Sequence, residues 1–276
     1  MRAIRKRAAA GMPWVFWGER PGFMHLGLIG RLQRRLLLSP LHACPAPIWG
    51  VGKFGVEGYL SEFGPEHEYF DIPYFSDLSR FVCEKREKPQ GKQFLFCGAM
   101  IPRKGVMELA RAFSRLASSH PDVRLVLVGD GPLVPKLKVI LADCAGQVEW
   151  AGFQPWGNLP QFYAEADIFC FPSHYDGWGL AAIEALASGL PVISTDQTGA
   201  ALEFLKEGSN GWLVPGGDEA ALLAAMKQAA SLDSSQLDEM RRAARESVTD
   251  HSLESGAVRF IEAAQSAVSA WRKALQ

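Results

Sequence analysis

The amino-acid sequence predicts an α/β protein built around a doubly wound parallel sheet. From Phe94 onward, apolar runs of strand length alternate with segments in which apolar residues recur at helical spacing. The candidate strands, in order, are "FLFCG", "VRLVLVG", "VEWAG", "DIFCFP", "PVIST" and "GWLVP". This alternation is typical of a parallel sheet with helices on both faces, and such sheets bind ligands beyond the carboxyl ends of their strands.

The stretch "EKREKPQGK", residues 84–92, is predicted to be a linker between two domains, because it is polar, charged and contains a proline and a glycine. Before it lie only three candidate strands, "PWVFWGE", "APIWGVG" and "EYFDIPYF", which make a poor sheet. We therefore expect a partial N-terminal domain over 1–83, a C-terminal domain over 93–251, and a final helix over 252–276 that can pack back on the first domain.

Composition narrows the class of protein. The chain has 276 residues, of which 48% are hydrophobic and 21% charged, and a net charge of −1, which argues for a globular protein and against a general nucleic-acid binder. Its cysteines are scattered, odd in number and form no Cys-x-x-Cys pair, so we expect a reducing cytoplasm and neither a disulfide framework nor a zinc site. They are Cys44, Cys83, Cys97, Cys144 and Cys170.

The first forty residues depart from this near-neutral balance. They contain eight Arg or Lys residues and one acid, Glu19. A solvated surface is the usual explanation of such an excess. Contact of residues 1–40 with an anionic membrane surface is the alternative, because leucines lie beside Arg31, Arg34 and Arg35 in "LGLIGRLQRRLLL". The inner face of a membrane therefore stays open as a second location.

Arg103 and Lys104 are predicted to hold a diphosphate. They follow the first strand of the second domain in "CGAMIPRKG", just where a helix begins. There, cationic side chains join unpaired backbone N–H groups and the positive end of the helix dipole. The alternative is that this basic pair is only solvated.

Two acids flank a Gly-Trp-Gly turn in "PSHYDGWGLAAIEALASGLPVISTD". Gly177 and Gly179 let backbone N–H groups come close to an anion at the start of the helix that begins near Leu180. Glu184, about one turn inside this helix, can then accept hydrogen bonds from a ribose diol, and Asp176 from the hydroxyls of a second sugar. The alternative makes Asp176 a turn residue and Glu184 a solvated helix residue.

This stretch resembles the signature of the retaining, GT-B-fold glycosyltransferases of family 4. "LFCGAMIPRKGVMELARAF", "LVLVGDGP", "VEWAGF" and "AEADIFCFPS" resemble the other blocks of that family, in the same order, over Phe94 to Pro215. The resemblance implies a Rossmann-like C-terminal donor domain preceded by a partial Rossmann-like N-terminal domain that lacks its first part. It also implies transfer of a sugar from a nucleotide-diphosphate sugar to a glycan or lipid-linked saccharide, with retention of configuration.

In that family the Arg and Lys after the first strand hold the donor's diphosphate, which here falls on Arg103 and Lys104. The second acid, here Glu184, binds the ribose, and the first acid, usually Glu, faces the transferred sugar. Here the first acid is Asp176, so the catalytic set implied is Asp176, Arg103 and Lys104. The nucleobase is expected near residues 149–153. The donor-binding set implied is Gly98, Arg103, Lys104, Phe153, Asp176, Gly177, Trp178, Gly179, Leu180 and Glu184.

We expect no metal ion and no cofactor besides the donor substrate. No Asp-x-Asp motif is evident, and the GT-B class generally stabilises the departing diphosphate with basic residues and a helix dipole. Ala99 stands where many members carry an arginine, a role that Arg103 is placed to take over. His174, a lone histidine in a loop, is expected to be structural rather than a base.

Three other functions compete with transfer. One is a related phosphorylase or nucleotide-sugar epimerase. Another is a donor-binding module or partner subunit without transferase activity of its own, because the N-terminal domain lacks the opening strand and glycine-rich loop of the family. We accordingly expect this chain to bind donor but to transfer sugar poorly unaided. An NAD-binding oxidoreductase is disfavoured, since "GDGP" lacks the three-glycine dinucleotide turn.

Overall fold

The computed structural model describes residues 2–21, 28–82 and 91–274. The chain divides into two compact units, one comprising Met1–Phe75 and Leu253–Gln276 and the other Ser76–Ser252. The predicted linker, 84–92, lies almost wholly outside the described residues. None of the helices in the described ranges is both long enough and apolar enough to cross a bilayer.

The first unit is a small parallel sheet flanked by helices. Its three strands are each three residues long and run in the order β1-β2-β3, with Phe16 paired to Ile48 and Ile48 to Tyr69. Its elements are α1 (Arg2–Ala9), β1 (Phe16–Gly18), α2 (Leu28–Leu37), α3 (Ser39–Ala43), β2 (Ile48–Gly50), α4 (Gly52–Phe63), β3 (Tyr69–Asp71) and the last helix of the chain, α12 (Leu253–Ala274).

Aromatic contacts join α12 to this sheet. The ring of Phe260 lies edge-on to Trp49, with ring centroids 5.1 Å apart, and to Trp17, at 6.4 Å. Ala263 is fully buried in the same cluster, together with Ile72. The final helix of the chain is therefore part of the core of the first unit.

The second unit contains a six-stranded sheet in which every pairing is parallel. Its strands are β4 (Gln93–Cys97), β5 (Arg124–Val128), β6 (Val148–Gly152), β7 (Ile168–Phe171), β8 (Val192–Thr195) and β9 (Gly211–Val214). Its α-helices are α5 (Val106–Ala117), α6 (Val134–Ile140), α7 (Leu159–Glu165), α8 (Leu180–Ala187), α9 (Gly199–Phe204), α10 (Glu219–Ala230) and α11 (Ser234–Ser247), and its 3₁₀ helices include Leu78–Phe81, Pro102–Lys104 and Trp156–Asn158.

The predicted α/β class is confirmed, and all six predicted strands form. The strands could be predicted as apolar runs because they are buried. All four residues of β7 are buried, as expected for a central strand covered on both faces. The strand order is β6-β5-β4-β7-β8-β9, so the order along the sheet reverses between β4 and β7. Ligands of doubly wound sheets bind at such a reversal, beyond the carboxyl ends of the two strands.

A buried ion pair fastens α11 to the opposite, amino ends of β4 and β7. Asp167 accepts a hydrogen bond from the N–H of Gln93 at 2.9 Å and pairs with Arg241 at 2.7 Å. Burial, with a smaller contribution from the charge of Arg245, lowers the pKa of Arg241 to about 10. The guanidinium therefore depends on its carboxylate partner for compensation.

We expect Asp167→Ala to lower the free energy of unfolding by about 3–5 kcal/mol, because it removes the buried partner of Arg241 and leaves the guanidinium only a solvent-exposed one. Asp238 supplies the matched control, since it pairs with the same Arg241 at 2.8 Å but its side chain is 68% exposed. Asp238→Ala should change stability by about 1 kcal/mol or less. Urea unfolding followed by circular dichroism measures both, and similar losses in the two variants would contradict this account.

Candidate functional site

The loops that follow β4 and β7 touch through their backbones. Gly105 has a φ of +66°, and a Cβ built on it would lie 1.9 Å from the carbonyl oxygen of Pro172. The N–H of His174 donates to the carbonyl of Arg103 at 2.8 Å, and the Arg103 guanidinium donates to the carbonyl of Tyr175 at 2.7 Å. Only glycine combines this conformation with this approach, so Gly105 lets the two loops meet at the reversal of strand order.

Arg103, Lys104 and Asp176 form one charged cluster across these loops. Asp176 Oδ2 lies 2.5 Å from Lys104 Nζ and 3.5 Å from the Arg103 guanidinium. Lys104 Nζ also lies over the ring of Phe171, 4.6 Å from its centroid. The carboxylate offsets one of the two positive charges and holds both cations in place, leaving a net positive site.

The two cations belong to the 3₁₀ helix Pro102–Lys104, with Gly105 between it and α5. They therefore precede the helix rather than forming its first turn. What they contribute is side-chain charge, while the unpaired N–H groups of α5 begin after Gly105.

The Gly-Trp-Gly turn leads directly into α8. Gly179, with a φ of +92°, is the N-terminal cap, and a Cβ there would lie 2.8 Å from Thr198 Cγ2 and 3.1 Å from the ring of Phe171. The turn is pinned to the loop after β8, because the N–H of Asp176 donates to Gln197 at 3.0 Å. Phe171 thus lies beside both Lys104 and the start of α8. The N–H of Ala182 donates to Gly179 at 3.0 Å, whereas the N–H groups of Leu180 and Ala181 come before the first bond of a helical ladder.

Trp178 does not present its side chain to a ligand. Its indole is buried and packs on Phe204 and His251, with centroids 6.0 and 5.7 Å away. Within the proposed donor-binding set, Trp178 can therefore contribute through its backbone alone. Gly177 and Gly179, on either side of Trp178, are buried as well, so the indole lies below the surface together with the rest of the turn.

Glu184 is buried in α8, with 7% of its surface exposed, so the interpretation of it as a solvated helix residue is wrong. Burial raises the pKa of its carboxyl to about 7, while hydrogen bonds from Tyr163 and Trp156 act in the opposite direction. The Tyr163 hydroxyl lies 3.2 Å from Glu184 Oε2. Because burial also raises the pKa of Tyr163 well above its usual value, that hydroxyl remains a neutral donor.

Several neighbours of Glu184 were not singled out from the sequence. Trp156 follows β6, and the guanidinium of Arg80 lies 3.9 Å from the centre of its ring. Burial raises the pKa of the thiol of Cys97, the last residue of β4, to about 11. The charges of Glu184 and Lys104 also act on this thiol, in opposite directions. Glu184 and the cation cluster therefore share the carboxyl end of β4.

The remaining members of the predicted set are more spread out. Gly98 continues β4 and donates its N–H to Val128 at 3.0 Å. Phe153 follows β6, two strands away from β4, and is 76% exposed. His174 Nε2 lies 3.2 Å from Glu108 in the first turn of α5, which fits a residue that fixes its loop. Over the described ranges, no cluster of three or more His, Cys, Asp or Glu residues could hold a metal ion.

The family model described as glycosyl transferases group 1 matches residues 80–247. The chain belongs to this family. Among curated relatives, it is 28% identical over 194 residues to the GDP-mannose-dependent alpha-(1-6)-phosphatidylinositol monomannoside mannosyltransferase of Mycolicibacterium smegmatis, an alignment covering 64% of this chain and 50% of that protein. It is 31% identical over 180 residues to the lipopolysaccharide core biosynthesis glycosyltransferase LpsE of Rhizobium meliloti, covering 63% and 51%. The chain spans about half the length of the curated relatives it matches.

Solved structures of glycosyl transferases resemble the chain more extensively. Anabaena Alr3699/HepE in complex with UDP superposes with a TM-score of 0.82 at 17% identity, covering 96% of this chain and 75% of that one. Sucrose-phosphate synthase from Thermosynechococcus elongatus gives 0.76 at 21% identity, covering 94% and 69%. At these identities the likeness concerns the fold, and it confirms the predicted GT-B class.

The burial of Glu184 predicts that the stability of the chain depends on pH. The pKa of Glu184 is about 7 in the folded chain against an ordinary value of 4.5, so between these pH values the folded chain binds more protons at Glu184 than the unfolded chain does. Stability contributed by this group therefore falls as pH rises from 4.5 to 7. The shift corresponds to a cost of up to about 3 kcal/mol at pH 8.

Glu184→Gln should accordingly leave stability nearly unchanged near pH 5 and raise the free energy of unfolding at pH 8, since the amide carries no charge to desolvate. Urea unfolding at the two pH values measures this difference. Glu239→Gln, at an exposed position of α11, is the matched control and should show no such dependence. If Glu184→Gln is no more stable than the parent chain at pH 8, the conclusion that burial of the charged carboxylate lowers stability is wrong.

Proposed function

We propose that the chain is a glycosyltransferase that moves a sugar from a nucleotide-diphosphate sugar to a saccharide or lipid-linked acceptor. The observation that carries the proposal is the cluster of Arg103, Lys104 and Asp176 at the reversal of strand order. Two cations near the start of α8 have the charge and placement that suit a diphosphate. Membership of the family, and similar proteins named with GDP-mannose or solved with UDP, support a nucleotide-sugar donor.

In the proposed reaction, the bond between the anomeric carbon of the donor sugar and its phosphate oxygen breaks, and an acceptor oxygen bonds to that carbon. Arg103 and Lys104 stabilise the charge that develops on the departing diphosphate, assisted by N–H groups at the start of α8. The acceptor's proton passes to the leaving phosphate oxygen, so the scheme uses neither a protein nucleophile nor a metal ion. Retention of configuration by front-face attack rests on the resemblance to family 4.

Asp176 takes two roles in this scheme. Its carboxylate first holds Lys104 and Arg103 in position, as their distances of 2.5 and 3.5 Å support. A diphosphate that recruits these cations leaves the carboxylate able to accept hydrogen bonds from the transferred sugar. The residue thereby couples donor binding to the orientation of the sugar.

Glu184 is proposed to bind the donor's ribose as a carboxylate. Tyr163 and Trp156 both donate hydrogen bonds to it, which fixes the carboxyl group and favours its ionised form. A carboxylate has acceptor capacity left for a vicinal diol. The nucleobase is proposed to lie along residues 149–153, where Phe153 offers an exposed ring.

A second candidate function is a donor-binding module or partner subunit that has no transferase activity of its own. The observation that favours it is the size of the sheet in the first unit, three strands of three residues, against six strands in the second. Acceptors would then need surface supplied by another chain. The two candidates share the same donor site and differ in turnover.

Arg103→Ala combined with Lys104→Ala should weaken binding of a nucleoside diphosphate at least about 100-fold, because two charge-assisted interactions are lost. Calorimetry with UDP, GDP and ADP measures the affinities. Arg124→Ala with Lys136→Ala, which removes two exposed cations elsewhere in the second unit, is the matched control and should bind normally. Equal affinities in the two double variants would refute the assignment of the diphosphate site.

Asp176→Asn should bind a nucleoside diphosphate at least as tightly as the parent chain, because it removes a negative charge that competes for the cations. It should nevertheless lower sugar transfer by about 100-fold or more, since an amide holds the sugar hydroxyls less well. Nucleotide-sugar screening by mass spectrometry, followed by NMR of the product's anomeric proton, measures transfer and retention.

The same assay separates the alternatives. Release of nucleoside diphosphate only when acceptor is present identifies a transferase, whereas interconversion of the nucleotide sugar alone identifies an epimerase. Tight donor binding with no turnover for any acceptor would favour the binding module. An inverted product would refute the retaining mechanism while leaving the diphosphate site intact.

A further inference from the structure

The outward side of α2 is apolar. Residues Leu28, Leu32 and Leu36 recur every four positions and so form one stripe along the helix, which Ile29 widens. These side chains are between 61% and 85% exposed. Isolated exposed leucines are ordinary, but a continuous apolar stripe on one helix marks an interaction surface.

The other side of α2 anchors it to the first unit. Gly30, Arg34 and Leu38 also recur every four positions, each two residues after a leucine of the apolar stripe. They therefore lie roughly on the opposite side of the helix. Gly30 is buried, Arg34 pairs with Glu62 of α4 at 2.8 Å, and Leu38 packs on the small core around Leu41. A helix on a protein surface normally turns its apolar face inward, and α2 does the reverse.

Positive charge lies in the same part of the first unit as the stripe. α1 has the sequence RAIRKRAA, with no acid, and it contacts α3, as α2 does. Arg35 is exposed beside the stripe on α2. Within residues 2–43, Glu19 is the only acid against eight Arg and Lys residues. The apolar stripe and the cations therefore belong to one region of the first unit.

We propose that this region docks on an anionic membrane surface, with α2 lying in the plane of the interface. The apolar stripe would enter the boundary between headgroups and acyl chains, and the flanking arginines and lysines would meet lipid phosphates. A second copy of the chain is a poorer occupant, because pairing the same face of two copies would bring two basic surfaces together. The proposal concerns a surface apart from the donor site and does not depend on the transferase assignment.

The test is cosedimentation of the full chain with vesicles of phosphatidylcholine alone or mixed with phosphatidylglycerol, without nucleotide. Binding is expected only to the anionic vesicles, and it should weaken as salt is raised. Ile29→Gln should reduce the partition coefficient about tenfold, since it removes one inserted aliphatic side chain. Arg35→Glu should reduce it about fivefold or more through lost attraction to the surface.

Matched controls lie on α6 of the second unit. Val139 is 77% exposed, as Ile29 is, so Val139→Gln makes the same kind of change on a helix of the other unit. Lys136→Glu likewise matches Arg35→Glu in charge. Both control variants should sediment as the parent chain does. Circular dichroism and nucleoside-diphosphate affinity, measured on every variant, show that the two units remain folded.

Any one of four results would overturn the proposal. The parent chain could remain in solution with anionic vesicles, or it could bind both kinds of vesicle equally. The α2 variants could bind as well as their α6 controls. Alternatively, light scattering could show a dimer that Ile29→Gln dissociates, with no vesicle binding, which would assign the surface to a second copy.

Discussion

The proposed donor site depends on one close contact, the approach of the loop after β4 to the loop after β7. Gly105 makes it possible, since any side chain there would collide with the carbonyl of Pro172. Arg103 and Lys104 reach Asp176 only because these loops touch. The contact is between backbones, so the arrangement follows from the order of strands in the sheet and is in place before any ligand arrives.

Glu184 illustrates the conflict between stability and binding at the same site. A carboxyl group in a buried position disfavours its own charge, yet a diol is best held by the charged form. Tyr163 and Trp156 partly resolve this conflict by donating hydrogen bonds. Functional sites commonly retain such destabilising groups, and here the group in question is one carboxyl on α8.

The strands could be predicted from the sequence because each is an apolar run bounded by glycine, proline or polar residues, and the glycines marked where backbones approach closely. The contacts between residues on different strands and loops could not be predicted from the sequence. Asp176 lies 72 residues from Lys104 in sequence, and their pairing requires β4 and β7 to be neighbours. Likewise, the burial of Glu184 comes from residues such as Tyr163 on other elements, and no local pattern distinguishes it from a solvated glutamate.

The position of α12 has a consequence for how the chain folds. Because the last helix belongs to the core of the first unit, the second unit, Ser76–Ser252, is an insertion within it. During synthesis the second unit emerges whole while the first still lacks Phe260 and Ala263. The first unit therefore completes its fold after the second, and removing α12 would damage the sheet of β1, β2 and β3.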